Sequence, residues 1–164
     1  MKKKALSVFL CTLALGLFAT SCDDNADDPK YRSLPPTFAD MEFKMLEDGS
    51  TDLKAGEKIV ATGIQQKKGR LLFKAKYNWK AEPVDASHKF RKEVIYDKES
   101  FNPTDTLIFE KPGVYHMTFK GQYYASGQAQ VVSNIVDIEH GKITYETPSF
   151  QYFNVIIEKR ITVK

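Results

Sequence analysis

Leu71-Leu72-Phe73-Lys74-Ala75-Lys76-Tyr77-Asn78-Trp79-Lys80 alternates with a period of two. Leu71, Phe73, Ala75, Tyr77 and Trp79 share one set of positions, and Lys74, Lys76, Asn78 and Lys80 the other. Successive side chains of an extended chain point to opposite faces, so this stretch predicts a strand with one buried and one wet face. Gly113 to Tyr124 reads the same way, with Tyr115, Met117, Phe119 and Tyr123 opposite His116, Thr118, Lys120 and Gln122. At the C-terminal end Phe153, Val155, Ile157, Ile161 and Val163 alternate with polar residues. Ile156 and Lys159 break that alternation, which predicts a bulge near Glu158.

Weaker strand signals lie at Met41–Met45, Lys58–Gln65, Lys92–Tyr96, Thr106–Phe109, Gln130–Ile138 and Lys142–Thr147. His140-Gly141 marks a turn between the last two. From Thr37 onward no helical apolar period is sustained, and the strands are short and separated by Gly, Pro, Asn and Asp. That pattern predicts an all-β antiparallel sandwich. The 28 residues from Ser126 to Phe153 exceed an ordinary loop, so a β-hairpin is expected before the last strand.

Two further residues narrow the architecture. Trp79 closes the apolar face of a central strand, and Pro112-Gly113-Val114-Tyr115 leads into the next alternating run. This resembles PKD-type, immunoglobulin-like domains over Lys58 to Tyr124 and the closing strand. The resemblance implies that Trp79 and Tyr115 are structural core, the Tyr115 hydroxyl bonding backbone near the corner. The Gly-Asp that follows the Trp in that family is replaced here by Lys80-Ala81-Glu82-Pro83. The family implies a spacer or binding module and brings no catalytic residues with it.

Ahead of the domain, Lys2-Lys3-Lys4, the apolar run Ala5 to Leu17 and the small residues Ala19-Thr20-Ser21 read as a signal peptide over residues 1–21. The apolar run is shorter than the roughly 20 residues a membrane-spanning helix needs. Ala19-Thr20-Ser21-Cys22 resembles a bacterial lipobox, which implies lipidation of Cys22. The following Asp23-Asp24-Asn25-Ala26-Asp27-Asp28 is similar to the acidic tether of surface-exported lipoproteins of the Bacteroidota. Residues 22–36 are expected to form that tether, and residues 37–164 the domain. The expected location is the outer membrane, lipid-anchored and facing outward, with the periplasmic face as the alternative.

The full chain has 164 residues and a formal charge of +3, yet Lys2 to Lys4 account for that excess. Residues 22–164 balance at 21 basic and 21 acidic groups, so charge gives no argument for nucleic acid. Of the two cysteines, Cys11 leaves with the leader, so no intramolecular disulfide, Cys-ligated metal or cysteine nucleophile is expected. His88, His116 and His140 lack metal-ligand spacing, and no P-loop or Gly-x-Ser-x-Gly elbow is present. The carboxylate pairs Glu82 with Asp85 and Glu93 with Asp97 read as solvated acids, and Asp48-Gly49-Ser50-Thr51-Asp52 as a turn.

No catalytic residue, metal or cofactor is therefore expected. The basic set Lys67, Lys68, Arg70, Lys74, Lys76 and Lys80 reads either as edge protection or as a surface for anionic head groups. Tyr123, Tyr124, Tyr145, Phe150, Tyr152 and Phe153 crowd around the expected hairpin. Alternation uses Tyr123 and Phe153 in the core, leaving Tyr124, Tyr145, Phe150 and Tyr152 as candidate ligand-binding residues. The expected function is a non-catalytic, lipid-anchored binding or accessory module for a glycan or envelope protein. The alternative is a structural spacer or assembly subunit of a pilus-like or transporter-associated envelope complex.

Overall fold

A computed structural model describes residues 29–84, 98, 99 and 101–164. The leader, Cys22, His88 and the expected strand at Lys92–Tyr96 lie outside the described residues, as do Asp85, Glu93 and Asp97. After a short 3-10 turn at Pro29–Tyr31, the strands run β1 (Arg32–Ser33), β2 (Thr37–Met45), β3 (Lys58–Lys67), β4 (Leu72–Pro83), β5 (Lys98–Glu99) and β6 (Thr104–Ile108). They continue as β7 (Gly113–Ala125), β8 (Gln128–Ala129), β9 (Ser133–Ile138), β10 (Gly141–Ser149) and β11 (Tyr152–Val163).

The protein is all-β. A six-stranded antiparallel sheet in the order β5-β4-β7-β11-β10-β9 faces a three-stranded antiparallel sheet in the order β2-β3-β6, and β1 pairs with β8 in parallel. Residues 133–149 fold as the expected hairpin, which extends the larger sheet beyond β11.

The two inner faces meet in an aromatic core. Phe38 of β2 packs 5.7 Å from Phe119 of β7, and Phe43 meets Trp79 of β4 edge-on at 6.3 Å. Trp79 and Phe119 are 4.8 Å apart, and Met41, Ile59, Met117, Ile143, Val155 and Ile157 close the remaining space. Tyr115 is buried against Phe109 at 4.7 Å and donates its hydroxyl to the Lys111 carbonyl at 2.7 Å, tying the corner before β7. Gly121 lies on the inner face of β7, where a Cβ would sit 2.6 Å from the Tyr123 ring, so the ring covers backbone that any side chain would displace.

Three expectations change against the structure. Leu71 and Phe73 are not on the buried face: the β4–β7 register shifts between Leu72 and Lys74, and Phe73 is 63% exposed. No bulge forms near Glu158, because β11 keeps an unbroken register with β7 from Tyr152 to Val163. Lys159 instead occupies an inward position and reaches the opposite sheet, donating to Asp40 Oδ2 at 2.6 Å and to the Met41 carbonyl at 3.4 Å.

The third change concerns the expected tether. Its last residues are packed into the fold: Ser33 is fully buried, its Oγ donating to the Leu71 carbonyl and accepting from Gly127 N–H. Leu34 bridges Arg70 through reciprocal backbone hydrogen bonds, so the packed part begins before Thr37. The physical reason is that β1 and β8 complete each other's backbone pairing.

Candidate functional site: an aromatic row on the outer sheet face

Alternation sends the even residues of β7 and β11 to the outer face of the six-stranded sheet. Cross-strand register then sets Tyr124 of β7 between Lys74 of β4 and Tyr152 of β11. The shift at Leu72–Lys74 turns Phe73 to this same side. The result is a row of rings across adjacent strands, with Phe73 6.1 Å from Tyr124 and Tyr124 5.9 Å from Tyr152. Neighbouring planes are tilted by 55° and 43°, so the row is a corrugated apolar strip rather than a flat slab. The Lys74 ammonium lies 5.9 Å from the Tyr124 ring, within the range of a cation–π contact.

The next row along the strands is polar. Lys76, Gln122, Asn154, Glu146 and Ser133 lie side by side from β4 to β9. The Tyr124 hydroxyl donates to Gln122 Oε1 at 2.6 Å, and Asn154 Nδ2 donates to Glu146 Oε1 at 2.6 Å. Asn154 Oδ1 is buried with no partner among the described residues. Leaving such an acceptor unmet costs about 1–3 kcal/mol, and this one lies beside the aromatic row.

The four candidate aromatic residues separate into different environments. Tyr124 and Tyr152 are half-buried members of the row. Tyr145 belongs to the core: it is 6% exposed, and its hydroxyl accepts the Phe38 N–H at 2.9 Å. Phe150 is 65% exposed and makes no ring contact in the row; it lines an open groove of about 340 Å³ with Arg32, Gln128, Gln130 and Val131. Phe73 is the member of the row that sequence reasoning missed, because plain alternation sends it inward.

The other candidates also have definite places. Lys67, Lys68 and Arg70 are exposed ahead of β4, and Lys74, Lys76 and Lys80 stand half-buried along its outer face. Lys80 pairs with Glu82 at 2.7 Å. His116 and Lys142 both approach Glu158, at 3.5 and 3.0 Å. The Lys142 hydrogen bond, aided by His116 and opposed by partial burial, holds the Glu158 carboxyl below its ordinary value.

Asp48 Oδ1 accepts Ser50 N–H and Ser50 Oγ accepts Asp52 N–H, the bonding of a closed turn. Among the described residues no group of His, Cys, Asp or Glu is arranged to hold a metal. Among them, too, no helix is long and apolar enough to cross a membrane.

Buried tyrosines mark the inner face. Burial pushes the Tyr77 phenol up to about 12, and it pushes Tyr123 higher still, with Tyr77 adding to the effect. Burial also raises Tyr115 and Tyr145, with Glu110 adding to the shift at Tyr115 and the Phe38 N–H opposing it at Tyr145. These groups stay protonated at neutral pH and serve packing. Comparisons with protein-family models, with curated proteins and with solved structures return no match.

Proposed function

We propose that this chain is a lipid-anchored lipoprotein of the bacterial cell envelope, held to the outer membrane through Cys22 and displayed at the cell surface. Its sandwich is a non-catalytic binding module, and the ligand is a glycan. The lipobox-like Ala19-Thr20-Ser21-Cys22 and the acidic run behind it support the anchor. The finer immunoglobulin-like, PKD-like assignment is supported by Trp79 at the centre of the core and by the Tyr115 bond to the Lys111 carbonyl.

The observation that carries the binding assignment is the Phe73–Tyr124–Tyr152 row. Sugar rings present C–H faces that pack on aromatic rings, while their hydroxyls take hydrogen bonds from flanking amides and charged groups. Gln122, Lys74 and Lys76 stand beside the row in that capacity. Phe73 remains 63% exposed beside Tyr124, so most of its ring is open to a ligand.

The test is a binding panel of plant, host and bacterial polysaccharides, comparing the wild-type chain with Phe73→Ala and with Tyr124→Ala/Tyr152→Ala. Binding by the wild type, weakened at least about tenfold in both variants, is expected. Phe73→Ala removes an exposed ring and leaves the core intact, so its effect reads on binding alone. A wild-type chain that binds no glycan would overturn the assignment and favour the spacer or assembly-subunit alternative.

A further inference from the structure

Strand edges carry unpaired backbone groups, and several edges among the described residues are blunted. The free side of β2 is closed by the Tyr145 hydroxyl on Phe38 N–H, by Asp40 Oδ1 on Met41 N–H and by Lys159 on the Met41 carbonyl. Its end is closed by the Gly49 N–H to Met45 carbonyl bond of the following turn. On β6, Asp105 Oδ1 takes Thr106 N–H, and β5 is only two residues long. These are the devices by which sheet proteins prevent edge pairing.

β9 has no such side-chain closure of its backbone among the described residues. Ser133–Ile138 reads Ser-Asn-Ile-Val-Asp-Ile, without Lys or Pro, and its register with β10 is unbroken over all six residues. Ile135 is 64% and Val136 43% exposed, one on each face of the sheet. Alternate residues of an antiparallel strand bond to opposite neighbours. Thr147 N–H bonds the Val132 carbonyl, which assigns the even residues of this strand to β10. The N–H and C=O groups of Ser133, Ile135 and Asp137 therefore face outward, with no partner among the described residues.

We propose that β9 pairs antiparallel with β9 of a second copy of this chain, about a two-fold axis through Ile135. The edge is complementary to itself in that register. Ile135 faces its own copy, and Ser133 faces Asp137 in both directions, so a hydroxyl donor meets each carboxylate and the outward backbone groups of all three positions are paired. Centring the axis on Asp137 would set like charges face to face, which is destabilising. Centring it on Ser133 would leave Asp137 beyond the pairing.

The axis stands normal to the sheet, so the two larger sheets merge and both aromatic rows face the same side. Two linked sites on one side raise effective affinity for a repeating ligand.

Disulfide trapping tests the register directly. The full chain, in detergent, carries Cys11→Ser and Cys22→Ser so that each introduced thiol is the only one; neither position lies among the described residues. Ile135→Cys alone is expected to oxidise to a dimer, since facing residues of a strand pair lie within disulfide reach. Ser133→Cys and Asp137→Cys, mixed in size-tagged forms, are expected to give the mixed dimer and little of either homodimer.

Sedimentation equilibrium supplies a second readout, in which Ile135→Lys weakens the dimer at least about tenfold while the melting temperature is retained. A monomeric Ile135→Cys chain, homodimers of Ser133→Cys equal to the mixed product, or a dimer indifferent to Ile135→Lys would each overturn the proposal. Loss of glycan binding would not bear on it, and a β9 dimer would not rescue a failed glycan assignment.

Discussion

Tyr115 and Tyr123 are both buried on β7, yet removing their hydroxyls should move stability in opposite directions. Tyr115 donates to the Lys111 carbonyl at 2.7 Å, so Tyr115→Phe deletes a well-formed bond and loosens the corner. The net worth of such a bond is about 1 kcal/mol. Among the described residues the Tyr123 hydroxyl is buried with no hydrogen-bond partner of good geometry, and the likewise buried Tyr77 hydroxyl interacts with it. Tyr123→Phe keeps the ring over Gly121 and its contact with Phe38, and it removes an unmet polar atom.

That change should be neutral or stabilising by about 1 kcal/mol, since an unpaired buried hydroxyl carries a desolvation cost of that order or more. The two variants should thus differ by about 2 kcal/mol. For a domain of this size that corresponds to a spread of roughly 6–10 °C in Tm. Denaturant titration at neutral pH, with m unchanged, gives the free energies, and thermal melts give the spread. Equal destabilisation by both variants would mean that the Tyr123 hydroxyl is satisfied, contrary to this expectation.

Other outcomes follow from the contacts and from the proposed lipid anchor. The Lys159–Asp40 pair joins the two sheets at 2.6 Å with side chains 17% and 30% exposed, so a double-mutant cycle with Lys159→Met and Asp40→Asn should give a coupling of about 1–2 kcal/mol, between surface and buried values. Alkaline pH should destabilise the fold, because Tyr77 is raised to about 12 while an unfolded tyrosine titrates near 10. Stability is then complete below about pH 10 and falls through pH 12 by up to about 1.4 kcal/mol per pH unit for each such phenol, which denaturant titrations at stepped pH would reveal. If Cys22 is the lipid anchor proposed above, Cys22→Ser abolishes incorporation of labelled palmitate, and protease treatment of intact cells removes the wild-type domain while a periplasmic marker survives.

How far the fold was legible depended on whether a residue's position follows from local alternation. Tyr115, Met117, Phe119 and Tyr123 sit where their period puts them, since β7 pairs on both sides without a break in that stretch. Phe73 does not, because the register shift at Leu72–Lys74 arises from how β4 meets β7, a long-range fact absent from the local sequence. Lys159 looked like a break in the strand because a charge stood at an inward position. A long side chain there can span to Asp40 at the rim, which the period alone does not reveal.

Tyr145 and Phe150 show the same limit at the candidate site. Aromatic density near the hairpin was visible, but the division into row, core and groove follows from the β10–β11 irregularity between Glu146 and Ser149 and from Phe38 lying over Tyr145. Arg32 and Ser33 look like tether in the sequence because two residues of strand carry no period, and their partners in β8 lie 96 residues away.

On the proposed function, the outer face of the six-stranded sheet binds glycan through the Phe73–Tyr124–Tyr152 row. An NMR titration with the best ligand from the polysaccharide panel tests it most directly. Chemical-shift changes concentrated at Phe73, Lys74, Gln122, Tyr124 and Tyr152 are predicted, with β2 and β3 of the opposite sheet unaffected. Changes confined to the Phe150 groove or to the smaller sheet, or no ligand at all from the panel, would contradict it.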